Sequence, residues 1–374
     1  MSGKDIDKPD DFGETALITA VKCSNKRMVD AYIREGASID KLDKFGETSL
    51  MIAIKLNNKD IVKSLINGGA SLDIENKFSS TALIMAVESS NLVIVKSLIK
   101  GGVSLDKQDY FGETALMKAI MHANTDIVEC LIKAGASLEI KNNHGDTVLI
   151  KAIRNLKIDM CKIICSGAAT RSARRAFLDI KDEYSETALM IAVECGSKEI
   201  VEILVNSGAS LEIQDKFRET ALMKAVKIGN TDICEILTTG VATGSAGIAT
   251  GSEVRATRST GVATGIAGVA TGIAVRTSLD IQKILGETAL IIAVKCGNKE
   301  IVEILVKSGA SLEIQDKFRE TALMKAIQDD KKDIIEILKN WHTTILINVH
   351  EELVVSDMLD IDSILDFPNL NLFD

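Results

Sequence analysis

Aromatic residues make up only 3% of this 374-residue chain, which holds a single Trp. A core so poor in rings must be filled by Leu, Ile, Val, Ala and Met, and a hydrophobic content of 46% is enough to fill layers between small units. Positive charge is in deficit, with 44 Lys and Arg against 53 Asp and Glu, a net charge of −9. That balance argues against a nucleic-acid footprint, which needs clustered Lys and Arg. The chain lacks any run of about twenty strongly apolar residues, so no membrane span is expected. The opening stretch, MSGKDIDKPDDFG, holds no apolar run, so no signal peptide is expected. Seven cysteines are ordinary for a reducing compartment. These absences together predict a soluble, cytoplasmic protein, with the nucleus left open as an alternative.

The usual groups for chemistry are missing as well. His122, His144, His342 and His350 stand apart from any nucleophile motif. The Gly-rich stretch lacks the Lys-Ser/Thr ending of a phosphate-cradling loop. Cys23, Cys195 and Cys296 occupy equivalent places in separate segments, as do Cys161 and Cys234. Cys161 and Cys165 lie one helical turn apart, but two ligands fall short of the four, or three plus water, of a zinc site. Glu351 and Glu352 sit together in an acidic tail and read as solvated. Neither an enzyme nor a bound cofactor or metal is expected.

What the chain has in abundance is repetition. A nine-residue phrase begins at Gly13 (GETALITAV), Gly46, Ser79, Gly112 (GETALMKAI), Gly145, Ser185, Arg218, Gly286 and Arg319. The steps between these nine copies are 33, 33, 33, 33, 40, 33, 68 and 33 residues. A short fixed period means an array of stacked units rather than one deep core. The unit from Asp43 to Asn76 shows the local logic. Asp43-Lys-Phe-Gly46 is a turn, Thr48 can cap a following helix, and Leu50, Met51, Ala53 and Ile54 form its apolar face. Asn57 and Asn58 break that helix. Asp60 suits the start of a second one, with Ile61, Val62, Leu65 and Ile66 as its stripe and Gly68-Gly69 as its end. Both helices are too short to stand alone and must bury their faces on neighbouring units.

These features resemble the ankyrin repeat, a unit of about 33 residues with a T-P-L-H-x-A signature. The signature here reads Thr114-Ala115-Leu116-Met117-Lys118-Ala119, and Asp126-Ile-Val-Glu-Cys-Leu-Ile-Lys-Ala-Gly-Ala136 follows at the family's spacing. The resemblance covers roughly residues 10–340 and implies an all-α repeat fold, an ankyrin-type solenoid of helix-turn-helix units with short hairpin-like fingers. The chain departs from the family in two ways. Ala replaces the signature Pro in seven copies, with Ser49 and Val148 in the other two, and Ile or Met replaces the His. Losing both exchanges a polar tie for apolar packing, so somewhat looser finger-to-helix joints are expected.

The organisation that follows is an N-terminal flank (1–10), repeats one to seven (11–237, with a short insert near 168–176), an insert (238–278), repeats eight and nine (279–340) and a tail (341–374). The long insert reads in sevens from Gly240, beginning GVATGSA, and Gly167–Ala173 nearly repeats the first seven, so both look like expansions of one unit. Its Gly, Thr and Ala composition cannot bury enough surface to offset ordering, which reads as a mobile loop. A membrane segment between Arg258 and Arg276 is too short and too rich in Gly and Thr; a pairing strand is the third reading. The tail carries seven acidic residues from Glu351 onward with apolar residues between them, and reads either as a terminal cap or as a docking segment.

The resemblance places partners on the concave face, touched by finger tips and by the ends of first helices. At the tips this selects Phe45, Phe78, Tyr110, Phe111, His144, Tyr184, Phe217 and Phe318, in a stripe that also holds Phe12 and Leu285. They read either as aromatic anchors for a partner or as rings packed on the neighbouring finger. The helix-end positions vary between copies and carry specificity in this reading: Lys55, Glu88, Met121, Arg154, Glu194 and Lys227, with Lys22, Lys295 and Gln328. The expected function is a monomeric, non-catalytic scaffold or adaptor for a protein partner, without nucleic acid or membrane. The alternative is a substrate-recruiting subunit of a ubiquitin-ligase-type complex that docks through the acidic tail.

Overall fold

A computed structural model describes residues 6–10, 13–167, 176–239 and 279–341. The chain divides into two compact units, Met1–Lys216 and Phe217–Asp374. Among the described residues the first holds, besides a short helical turn at 176–178, six helix pairs. They are α1 (Ala16–Lys22) with α2 (Lys26–Arg34), α3 (Ser49–Lys55) with α4 (Lys59–Asn67), and α5 (Ala82–Glu88) with α6 (Leu92–Lys100). Then come α7 (Ala115–Met121) with α8 (Thr125–Ala134), α9 (Val148–Arg154) with α10 (Ile158–Gly167), and α11 (Ala188–Glu194) with α12 (Lys198–Ser207). The second unit holds α13 (Ala221–Ile228) with α14 (Thr231–Thr239), α15 (Ala289–Cys296) with α16 (Lys299–Lys307), and α17 (Ala322–Gln328) with α18 at 332–341. The all-α repeat expected from the sequence is what both units contain.

Each first helix starts where the phrase places its Thr. The Thr48 hydroxyl accepts from the Met51 N–H at 3.3 Å, and the Thr of every other copy caps its helix in the same way. Asn58 does more than break α3: its side-chain oxygen accepts from the Ile61 N–H at 3.2 Å and so begins α4. Asn25, Asn91, Asn124 and Asn298 do the same in their repeats, and Ser197 stands in for Asn in the sixth.

Within each unit, first helices pack on first helices and second on second. In the first eight copies the residue in place of the signature His is sealed in this layer: Met51, Met117 and Met223 are among the most buried side chains, whereas Met324 in the ninth is exposed. Burying one such side chain contributes roughly 1.5–3 kcal/mol. In the first unit α9 packs on α11 although residues 168–175 lie between their repeats, and in the second α13 packs on α15 across residues 240–278. Stacking therefore resumes after both interruptions. The loop, membrane and strand readings of the inserts fall on residues outside those described.

The fingers are short. Their only regular pairing among the described residues is a pair of isolated antiparallel bridges, Gln108 with Thr114 and Lys181 with Thr187. Most turns are held by their own side chain: Asp43 Oδ1 accepts from the N–H groups of Phe45 at 2.8 Å and Glu47 at 2.9 Å, and Asn76, Asp109, Asn142, Asp182 and Asp316 accept in the same way. Gly112 is required at its place. Its φ is 72°, and an added Cβ would lie 2.7 Å from the Asn143 nitrogen of the next finger.

Candidate interaction surface

Successive fingers touch through their backbones. The Tyr110 N–H donates to Phe78 O at 3.2 Å, Asn143 to Phe111 O at 3.1 Å, and Lys317 to Leu285 O at 3.0 Å. Side chains add to this: Gln108 Nε2 donates to Gly112 O and to Lys141 O, 33 residues on, and Gln282 repeats the arrangement with Gly286 O and Gln315 O. These bonds tie the tips at Phe78, Tyr110 and Phe111 to one another and to the finger of His144 in the first unit, and those at Leu285 and Phe318 in the second. Their rings are left in solvent. Phe45, Phe78, Tyr110, Phe111, Tyr184, Phe217 and Phe318 range from 48% to 73% exposed, and His144 is also exposed, whereas Leu285 is half-buried. Phe12 lies outside the described residues. Several tips keep a cation over the ring face: Lys44 on Phe45 at 5.1 Å, Lys216 on Tyr184 at 4.5 Å and Lys317 on Phe318 at 5.2 Å from the centroid. Tyr110 and Phe111 meet edge to face at 5.6 Å. Exposed rings gain little from this in stability, about 0.5–1 kcal/mol for each cation–π contact.

The helix-end residues are all exposed, but most are already engaged. Lys22, Lys55 and Lys227 each pair with the Glu of their own phrase, Glu14, Glu47 and Glu219, and Lys295 pairs with Glu287 at 2.5 Å. Arg154 bridges two repeats, with Asp146 at 3.1 Å and the fully buried Asp182 at 2.9 Å. Glu88 faces Lys118 of the next repeat at 3.7 Å. Glu194 is exposed, and so are Met121 and Gln328. The polar tie that the missing signature His would supply is therefore present in another form. A Glu–Lys strut joins finger to helix eight residues on, in place of the purely apolar joint expected.

The lysines inside the phrase are not evident as site residues in the sequence. Lys118 is largely buried between Asp109 at 2.8 Å, Glu113 at 3.1 Å and Glu88, and Lys151 pairs with Glu113 of the repeat before it. Burial pushes the Lys118 pKa down, but hydrogen bonds to Asp109 and Glu113 outweigh it and hold the ammonium above its ordinary value. Burial likewise pushes Glu113 up, yet Lys151 and Lys118 bring it below the ordinary carboxylate range. Glu287 is lowered in the same manner by Lys283 and Lys295. The alternation at this position was the available signal: Ile52, Met85, Ile191 and Ile292 are apolar where Lys118, Lys151, Lys224 and Lys325 are charged.

Nothing among the described residues gathers three or more His, Cys, Asp or Glu into a metal-binding group. Burial raises the thiols of Cys161 and Cys234 to about 12, which leaves them as inert core side chains. Among the described residues no helix is long and apolar enough to cross a membrane.

The ankyrin-repeat family ("Ankyrin repeats (3 copies)") matches residues 1–76, 17–109, 53–142, 83–174, 173–245 and 269–349. No curated protein sequence matches the chain. The ankyrin repeat domain of Bcl-3, described as a unique member of the IkappaB protein family, is similar in structure. It has a TM-score of 0.54 and 24% identity over 60% of this chain and 98% of that one. An ankyrin repeat domain from Acinetobacter baumannii AYE matches with a TM-score of 0.47 and 25% identity, over 52% of this chain and 98% of that one.

Proposed function

Because this chain belongs to the ankyrin-repeat family, whose repeats are protein-interaction modules, we propose that it is a non-catalytic scaffold or adaptor that holds a protein partner along its finger tips. The observation that carries this reading is the exposure of the aromatic tips at positions held in line by finger-to-finger hydrogen bonds. Rings packed on neighbouring fingers would be buried, and these are not. A row of exposed rings has little structural reason to recur, whereas aromatic side chains dominate the energy of protein interfaces. The exposed Lys44, Lys77, Lys216 and Lys317 beside Phe45, Phe78, Phe217 and Phe318 favour a partner surface that offers apolar side chains flanked by carboxylates. Lys55, Arg154, Lys227 and Lys295 serve first as struts that set the tips, since their charges are already paired. Met121, an exposed apolar side chain, is the helix-end candidate to contribute specificity beside them.

The test is affinity purification of the full chain with and without the rings of Phe45, Phe78 and Phe111. Recovery of the partner must fall with the rings while the fold holds. Recruitment to a ubiquitin-ligase-type complex through the acidic tail rests on residues 342–374, which lie outside those described.

A further inference from the structure

The last repeat leaves an apolar face open. On α17, Met324 and Ile327 are 50% and 55% exposed. Their counterparts in the eight earlier copies, from Ile18 and Val21 to Ile291 and Val294, are exposed by no more than 1%. Leu323 beside them is also only half-buried, while its counterparts are sealed. The first repeat is finished differently. Lys118 and Lys151 occupy the position that reaches back to the preceding repeat, and in the first copy that position is the exposed Thr19. A polar residue thus closes one terminal repeat, whereas the other presents Met and Ile.

We propose that the chain's own C-terminal segment supplies the missing layer, laying the stripe Val354, Met358, Ile361 and Leu365 over Met324 and Ile327 as an intramolecular cap. The spacing i, i+4, i+7, i+11 is the sequence pattern of an apolar stripe. Acidic residues Asp357, Asp360, Asp362 and Asp366 fall between and beyond them, and no Lys or Arg follows Trp341. The repeat to be covered exposes Lys317, Arg319 and Lys332, so the charges are complementary. Reach is sufficient. Val354 is 13 residues beyond Trp341, the end of α18. A tether of that length spans up to ~40 Å, against the ~8–10 Å between packed helices. A short tether also gives an effective concentration on the order of millimolar, which favours this occupant over a second copy or a separate protein. Repeat arrays need such caps for solubility, because an open end is a template for association.

The cap is independent of the finger-tip reading, and its test uses the full chain. A photo-cross-linking amino acid replaces Ile327, which is exposed and tolerates the change. The expected product is an intrachain cross-link to a peptide within residues 351–366. The double variant Ile361→Asp/Leu365→Asp reduces that product by about tenfold without loss of helix content, consistent with losing two buried apolar contacts. In the same variant, hydrogen exchange of the α17 amides accelerates by about tenfold, as expected for a local opening. Cross-links to a second copy, cross-links to another protein, no cross-link, or unchanged α17 exchange in the double variant would each overturn the proposal.

Discussion

The backbone N–H of Ser104 donates to the carboxylate of Asp73, 31 residues earlier, at 2.9 Å. The same rung joins Ser38 to Asp7, Ser71 to Asp40, Ser137 to Asp106, Ser210 to Asp179 and Ser311 to Asp280. In every one of these cases the repeat that carries the Asp is followed by a regular step of 33 residues. Three copies carry Glu instead, at Glu139, Glu212 and Glu313. Their repeats are followed by the step of 40, the step of 68 and the end of the repetition. The rung needs a Ser N–H at a fixed distance down the stack, and each insert enters just ahead of that place. Where the spacing is lost, the short carboxylate is absent too.

The rung makes a stability prediction. A hydrogen bond to a charged group contributes ~1.5–3 kcal/mol when buried, and these are part-buried to exposed, so Asp73→Ala should destabilise the first unit by about 1 kcal/mol. Asp73→Glu should fall between, because the longer side chain must give up rotamer freedom to reach the same N–H. Chemical denaturation followed by circular dichroism reads both. Equal midpoints for the parent and Asp73→Ala would remove the rung from the account.

Two substitutions should stabilise. Leu156 sits in the left-handed region with φ 51° and its side chain is exposed, where Gly196, Gly229 and Gly297 occupy the corresponding place in later repeats. A non-Gly residue there costs of order 1–3 kcal/mol, so Leu156→Gly should raise the unfolding free energy by about 1 kcal/mol once the added chain entropy of Gly is deducted. Ser49 is buried, and its hydroxyl has no hydrogen-bond partner. Ser49→Ala matches seven of the nine copies and removes a desolvated polar group, for a gain of ~1 kcal/mol. Thermal melting of the two variants checks both, and a lower midpoint in either contradicts its argument.

The strut network sets a pH dependence. Glu113 is held below its ordinary value of 4.5 in the folded protein. Its contribution is therefore complete above the unfolded value and is lost as pH falls through the folded one. Lys118 is held above 10.5, so its share is complete below that value and is lost as pH rises through its folded pKa. Glu113→Gln should lower stability at neutral pH by about 1–2 kcal/mol, as expected for a part-buried charge-assisted network. The gap to the parent should persist as pH falls through 4.5 and close only once pH has passed below the lowered folded value, where Glu113 is as neutral as Gln. Denaturation midpoints from pH 7 to pH 3 read this, and a gap independent of pH would mean that packing rather than charge holds Glu113.

These relationships explain which parts of the molecule could be read from residues alone. Thr114, Leu116 and Ala119 act within one helix, so their roles follow from local spacing, and the fold was legible from them. Asn58 follows helical residues and so looks like an ending in sequence, yet its side chain faces the helix that follows. The pair Glu47–Lys55 was hidden, since a separation of eight crosses from finger to helix end rather than running along one helix face. The rungs at 31 and the tie from Lys151 to Glu113 were hidden for the same reason: they join neighbouring copies, and their partners are set by stacking. The aromatic tips are visible as a stripe in the sequence, but their exposure depends on how neighbouring fingers stack and is not written in it.

The most direct test of the account compares two full-length variants with the parent by quantitative affinity purification from cells. One removes the tips, Phe45→Ser/Phe78→Ser/Phe111→Ser; the other removes a strut charge, Lys55→Gln. Exposed side chains away from packing change stability by no more than about 0.5 kcal/mol each, so the tip variant should melt close to the parent. The partner bound by the parent should fall by about tenfold or more on the tip variant, as for loss of interface anchors, and persist on Lys55→Gln. Full retention by a folded tip variant, or loss on Lys55→Gln alone, would contradict it.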